Sequence, residues 1–505
     1  MSDGDDQSEE IDGSKLPTRT VEVDVIVPVY NAAATLESTL NSAFSQVDLQ
    51  QSSADDDISI KLYVCCYDDG STDESWTILE RIQQKTSNGG TNFSILKGRN
   101  AIETYFCIAK SADGVSRGAG YARNQAVKIR RAHSTTQHCF LCLLDSDDLM
   151  HPTRVSVQVR FMMSLSEDER HRTLLGSRFV RDPPESTWHY SDWANHLTPQ
   201  RLYLERFREV TLLQPTWMIS RRRFEELNGY IEAPHPSREA KPGDIMRLRD
   251  RQCQKMCLVH PVFDNALTLR VAEDLRFFHT HLATGGLLRL PHTSEPLVTY
   301  RHRVGLSQSS QTPRKLLLQL RAFAFEECIL KRSTVWQEND GAFVVWGAGR
   351  DGKDFVKALN VENRKRVYCF VDVDEKKIEA GFYVNREGGL KIPILHFSYL
   401  IRDSTHRDLL RQCVEQGSES DTVQYGKITK GRSGVEVDSV ERGRGGAPAS
   451  KRRKTKELGV DSVDTKLLQK LPVVVCVAMY RTNGALEHNV SLIGRREGED
   501  LWHFS

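Results

Sequence analysis

Nowhere does the 505-residue chain run to about 18 consecutive apolar residues, so it predicts no membrane-crossing helix. The first 20 residues, beginning MSDGDDQSEE, also lack an apolar run. They read as a solvated acidic tail rather than a signal peptide. Neither sign of charge is in excess: 69 basic against 68 acidic residues leave a formal +1, so the chain as a whole is no polyanion binder, though a local patch stays open. Hydrophobic residues make up only 39%, so part of the length is expected to be loop or disordered. No internal repeat is visible. The eleven cysteines do not form a disulfide framework. Cys65, Cys66, Cys139, Cys142, Cys369 and Cys476 lie inside apolar runs, as reduced core residues of a cytoplasmic protein do. Cys253 and Cys257 with His260 have a metal-like look, but the spacing is loose and no second pair follows.

The length predicts two to four domains at roughly 100–200 residues each. Val21 to Val29 is β-branched and apolar and ends in a turn, which predicts a buried strand followed by a helix over Ala32 to Phe44. A second strand, Ile60 to Tyr67, runs into Asp68-Asp69-Gly70-Ser71-Thr72-Asp73 and a capped helix. A helix over Tyr121 to Ala132 and a strand over His138 to Leu144 follow. This alternation predicts an α/β fold whose ligands lie at the C-terminal ends of the strands. The boundaries read as a tail over 1–20, a first domain over 21–310 with an insertion near 233–268, a connecting helix over 311–335, and a second domain over 336–505. That second domain has a basic insertion near 403–468, with Lys451 to Lys454 inside it.

Four clusters fall where such a sheet places a ligand. Asp145-Ser146-Asp147-Asp148 ends an apolar strand. Adjacent carboxylates repel unless a cation holds them, and Mg²⁺ or Mn²⁺ would take Asp145 and Asp147; the alternative is that Asp147 or Asp148 caps the next helix. Asp69, beside Asp68, either accepts the imide N–H of uracil or caps a helix. Arg117 and Arg123, with Gly118 and Gly120, either grip a diphosphate or lie on a solvated face. Glu273 and Asp274 open a helix, as a general base or as its cap.

The stretch Val25-Ile26-Val27-Pro28-Val29-Tyr30-Asn31, then Asp68 to Asp73, Ala122-Arg123-Asn124 and Leu144 to Asp148 resembles the inverting glycosyltransferases of the GT-A fold in order and spacing. That resemblance implies a nucleotide-diphospho-sugar transferase of family 2, with Pro28, Tyr30 and Asp69 lining uridine. Asp147 and Asp145 would hold a metal–diphosphate, and Asp274 or Glu273 would be the base. The family's Gln-x-x-Arg-Trp motif is replaced by Tyr300-Arg301-His302-Arg303, which argues against processive polymer synthesis. Further stretches are similar to the eukaryotic galactosyltransferases that act on queuosine in tRNA: Ser116-Arg117-Gly118, Arg181 to Thr187, Leu197-Thr198-Pro199, Pro215-Thr216-Trp217, Tyr300-Arg301-His302, Phe370 to Ile378 and His503-Phe504-Ser505. They imply a UDP-galactose donor and tRNA carrying queuosine as acceptor; the alternatives are a glycan or protein acceptor, or a binding protein without catalysis. A tRNA surface would draw on Arg201, Arg206, Arg208, Arg221, Arg222 and Arg223 with Trp188, Tyr190 and Trp193.

The second domain carries a strand, the turn Gly347-x-Gly349-x-x-Gly352, a helix, and Asp372 at the end of the next strand, which together spell a dinucleotide fingerprint. The chain beyond it is short and offers no residue for hydride chemistry. A Rossmann-like module without NAD, structural or acceptor-positioning, is therefore expected.

Overall fold

The computed structural model describes residues 19–49, 58–87, 102–130, 138–233, 235, 268–302, 312–385, 389–402, 463–477, 482 and 484–504. Cys253, Cys257, His260, Lys451 to Lys454 and nearly all of both insertions lie outside these. The chain divides into two compact units, Met1–Tyr203 with Val210–Leu317, and Leu204–Glu209 with Leu318–Ser505.

In the first unit, β1 (Arg19–Val29) is buried along nearly its whole length, because strands pair on both its edges and helices cover its faces. Its two buried acids, Glu22 and Asp24, are both tied to Arg130, and Asp24 also to Arg221. Isolated charge is costly inside a sheet, and these guanidinium groups compensate it. β2 (Ile58–Asp68) and β4 (Cys139–Leu143) both run parallel to β1, and β3 (Glu103–Lys110) parallel to β2. The sheet continues through β8 (Met218–Ser220), β6 (Thr173–Leu175) and β9 (Leu287–Arg289) in the order β3-β2-β1-β4-β8-β6-β9, with β8 antiparallel to both neighbours. A second sheet sets β10 (Val298–Arg301) between β5 (Leu149–Met150) and β7 (Phe179–Asp182).

Helices α1 (Leu36–Phe44), α2 (Ser75–Ser87), α3 (Ala119–Lys128), α4 (Arg154–Ser164) and α5 (Glu273–Ala283) link these strands. Leu36, Leu40, Ala43 and Phe44 of α1 pack with Val23, Val25 and Val27 of β1 and Leu62 and Val64 of β2 in one core. Because β1, β2 and β4 are parallel, their C-terminal ends, at Val29, Asp68 and Leu143, share one edge. That edge is where the ligand is expected.

The second unit has six strands in the order β13-β14-β12-β11-β15-β16: β11 (Phe343–Trp346), β12 (Val367–Asp372), β13 (Phe382–Asn385), β14 (Leu390–His396), β15 (Val473–Val475) and β16 (Leu501–His503). All pairs are parallel except β13 with β14. Helix α6 (Arg350–Ala358) follows β11 through the glycine turn. The architecture is α/β in both units, with a mixed seven-stranded and a three-stranded sheet in the first and a mostly parallel six-stranded sheet in the second. Within the segment 311–335 a helix runs over Arg314–Phe325 and is continued by a π-helical turn over Glu326–Leu330.

Candidate nucleotide-sugar site

The turn after β2 divides two adjacent aspartates by role. Asp68 Oδ1 accepts the N–H groups of Gly70 and Ser71 (3.0 and 2.9 Å) and so shapes the turn. Asp69 points the other way. Its Oδ2 accepts from Ser116 Oγ (2.9 Å) and from the backbone N–H of Arg117 and Gly118 (both 2.8 Å). Its Oδ1 is buried with no hydrogen-bond partner. Burial pushes the Asp69 carboxyl above its ordinary range, against the three donors that pull it down. A buried, unpartnered carboxylate oxygen held by a rigid cradle is an acceptor that lacks its donor. Gly70 makes the cradle possible: its φ is +82°, and a Cβ there would come within 2.5 Å of the Gly114 carbonyl oxygen. Beside it, Tyr30 is 52% exposed and Pro28 half-buried, and Asn31 at φ 49° accepts from the Thr72 N–H at 2.9 Å.

Beyond β4, Thr35 and Thr39 of the α1 region each donate to the Ser146 carbonyl at 3.0 Å and hold the carboxylate turn against the helix. One oxygen from each of Asp145, Asp147 and Asp148 lies within 4.8 Å of the others. Asp148 is fully buried; its Oδ1 accepts the Arg301 N–H at 2.9 Å and its Oδ2 has no partner. Burial first, then Asp145 and Asp147, push its carboxyl well up. Thr153 occupies the N-cap position of α4, so the capping alternative for Asp147 and Asp148 fails. Three carboxylates at this spacing suit a hard divalent cation.

Arg123 is 3% exposed. It bonds Asp145 Oδ1 (2.5 Å) through one terminal nitrogen and Glu273 Oε1 (2.7 Å) through the other. The two nitrogens expected to grip a diphosphate are thus engaged by carboxylates. Gly118 and Gly120 allow a close approach, but to protein. A Cβ on Gly118 would meet the Arg270 carbonyl oxygen at 3.3 Å, and one on Gly120 would meet Glu273 Cβ at 3.2 Å. α5 is therefore seated on α3, with Glu273 buried and Asp274 half-buried at its start. Neither carboxylate caps that helix. The cap position is Ala272, at φ 55°, and Asp274 Oδ1 accepts the N–H of the next residue, Leu275, at 2.7 Å. Arg117 bonds Asp113 (2.6 Å) and the Tyr121 hydroxyl, its guanidinium 4.7 Å from that ring's centre. Asn124 closes the motif differently: it bonds Tyr230 O, Tyr230 N and Glu232, each at 2.9 Å.

Tyr300 and Arg181, to which the sequence reading assigns no role, border the carboxylates. Arg181 lies 4.0 Å from the centre of the Tyr300 ring. Burial and the Asp148 and Asp145 carboxylates push the Tyr300 hydroxyl up to about 12. Their signal was the Tyr300-Arg301-His302 stretch, meaningful only once β10 is paired with both β5 and β7. The expected arginine surface is corrected. Arg206, Arg221 and Arg223 are buried: Arg221 serves Asp24 and the Val127 carbonyl, Arg223 the carbonyls of His281 and Thr284, and Arg206 stacks 4.4 Å from the Trp502 ring centre. Tyr190 and Trp193 pack on Phe179 and Val298, and Trp188 is 56% exposed.

In the second unit the fingerprint's acid is committed to the protein. Asp372 Oδ2 accepts from the Ala348 N–H (2.8 Å) and Lys377 Nζ (3.0 Å), and Oδ1 from the N–H groups of Val373 (2.9 Å) and Asp374 (3.0 Å). Gly352 packs so tightly that a Cβ would sit 1.9 Å from the Gly347 carbonyl oxygen.

Residues 24–227 match the family described as Glycosyl transferase family 2. Over 140 residues the chain is 29% identical to the UDP-Glc:alpha-D-GlcNAc-diphosphoundecaprenol beta-1,3-glucosyltransferase WfaP of Escherichia coli, covering 28% of this chain and 41% of that protein. Among solved structures, S. aureus TarS 1-349 in complex with UDP-GlcNAc is 15% identical, with 84% of this chain and 98% of that chain covered at a TM-score of 0.39. The mannosyltransferase PcManGT of Pyrobaculum calidifontis, in complex with GDP-Man and Mn2+, is 16% identical, with 61% and 64% covered at 0.33. Among the described residues no helix is long and apolar enough to cross a membrane.

Proposed function

We propose, on the premise that residues 24–227 are a glycosyl transferase family 2 domain, that this chain transfers a hexose from a UDP-sugar to an acceptor hydroxyl with inversion. We further propose that the sugar is galactose and the acceptor the queuosine base of tRNA. One observation carries the donor reading. The parallel ends of β2 and β4 put a buried, unpartnered carboxylate oxygen on Asp69 and the Asp145, Asp147 and Asp148 cluster on the same sheet edge.

In this reading Asp69 Oδ1 accepts the imide N–H of uracil, and Pro28 and Tyr30 line the uridine. Asp145 and Asp147, with Asp148, hold Mn²⁺ or Mg²⁺, which when bound neutralises the departing diphosphate. Arg117, beside Asp69, borders the nucleotide. Arg123 acts as a positioning residue rather than a diphosphate clamp, since it ties Asp145 to Glu273. Asp274 removes the acceptor proton as the hydroxyl attacks the anomeric carbon. Glu273, locked by Arg123, orients the start of α5. The acceptor reading is supported by the queuosine-type stretches of the sequence, and by Trp188, exposed with its ring centre 3.6 Å from that of His189, as a surface for a planar base.

The test incubates purified protein with queuosine-containing tRNA and a panel of UDP-sugars, with and without Mn²⁺. The expected result is a hexose added to queuosine from UDP-galactose, lost on chelation and in Asp147→Ala. Transfer to a glycan but not to this tRNA would overturn the acceptor. UDP-sugar binding without transfer to any acceptor would overturn the activity.

A further inference from the structure

Two cysteines face each other across the strands that deliver the Asp69 cradle. In the parallel register of β2 and β3, Cys65 stands opposite Cys107. Residues in direct register share a face of the sheet. One such pair earlier on that face, Tyr63 and Tyr105 stack with ring centres 4.7 Å apart and an interplanar angle of 12°, so side chains of this row meet. Neighbouring strands run about 4.8 Å apart, inside the Cα separation of about 4.4–6.8 Å that a cystine spans.

The two thiols differ in access and character. Cys65 is fully buried, whereas Cys107 is half-buried on β3, the edge strand. The neighbouring Cys65 thiol, helped by the Arg130 guanidinium, holds the Cys107 thiol below its ordinary range even though burial opposes it. Cys66, next in sequence, points to the opposite face and belongs to the core under α1 and α2.

We propose that Cys65 and Cys107 are a redox pair that a hydroperoxide converts to a cross-strand disulfide. The Cys107 thiolate attacks the peroxide oxygen; the O–O bond breaks, and with hydrogen peroxide one water leaves as sulfenic acid forms. The Cys65 sulfur then attacks the Cys107 sulfur, the S–O bond breaks and a second water leaves with the thiol proton. Two thiols are oxidised by two electrons and one peroxide is reduced to two waters. A small dithiol reverses the bond by exchange.

Trypsin separates the partners, Cys65 in the peptide Leu62 to Arg81 and Cys107 in Asn100 to Lys110. The full chain is treated with excess hydrogen peroxide, alkylated with N-ethylmaleimide, digested and weighed. The expected product is these two peptides joined, lighter than their sum by two hydrogens, with Cys66 alkylated. Dithiothreitol abolishes it, and Cys107→Ser lacks it. Joining through Cys66 overturns the proposal, as does a Cys107 sulfinate with Cys65 still alkylated. Cys107→Ser, at a half-exposed position, keeps the test available if Cys65→Ser does not fold.

Discussion

Two turns in this molecule share a plan and differ in what is left over. Each joins a parallel strand to a helix, and each has an aspartate at the end of the next strand. At Asp372 four donors occupy both carboxylate oxygens, and one of them is the Lys377 ammonium. At Asp69 three donors crowd onto one oxygen while the other is buried with no partner. The first turn is complete as protein. The second leaves one acceptor oxygen unsatisfied. A motif's letters therefore say less than the hydrogen-bond count around its acid, since a dinucleotide fingerprint and the turn proposed to meet uracil are both strand, turn, helix and acid.

The comparison can be broken by removing acids of each kind. The largest effect is expected at the start of α5, where Asp274→Asn should lower kcat about 10²–10⁴-fold, the usual contribution of a general base. Glu273→Gln should keep more of the turnover and lose stability, because it leaves Arg123 with one carboxylate instead of two. Steady-state kinetics with a fixed UDP-sugar, beside thermal unfolding of both variants, separates these outcomes. Equal losses of kcat would remove the distinction between base and positioning residue.

Next comes the cradle itself. Asp69→Asn keeps the shape but turns a charged acceptor into an amide. A hydrogen bond to a charged group contributes about 1.5–3 kcal/mol, so UDP should bind roughly 10–100-fold more weakly by calorimetry. Asp372→Asn should do the reverse. UDP binding should hold, while the unfolding free energy of the second unit drops by about 1–2 kcal/mol as the Lys377 pair and the Ala348 bond weaken. A change in UDP affinity on Asp372→Asn would show that this turn is not self-contained.

Much of this was legible before any coordinates. Val21 to Val29, Ile60 to Tyr67 and His138 to Leu144 are apolar enough to announce buried strands, and Asp69 and Asp145 follow from where the last two stop. What was not legible depends on pairing at long range. β3, with the sequence ETYFCIAK, mixes polar and apolar residues because it is an edge strand, and it reads as no strand at all on its own. The three-stranded sheet that brings Arg301 to Asp148 joins segments more than 100 residues apart. Arg221 and Arg223 read as solvated charges because Asp24 and the end of α5, which bury them, lie about 197 and 58 residues away. The same holds for Arg123, whose partner Glu273 stands 150 positions along the chain.

The smallest expected effect sharpens the contrast through pH. Burial raises the Asp69 carboxyl above 3.8, the ordinary aspartate value. A protonated carboxyl accepts the imide N–H poorly, so nucleoside affinity should be full at neutral pH and fall as the pH is lowered through the raised value, earlier than for an exposed aspartate. Uridine is the right probe, because it has no phosphate that titrates in the same range. In wild type its affinity should decline on acidification while circular dichroism still reports a folded chain, and in Asp69→Asn the weak residual affinity should be flat. A wild-type affinity that stays level down to the pH of unfolding would mean that the unpartnered oxygen of Asp69 is not the one uracil meets.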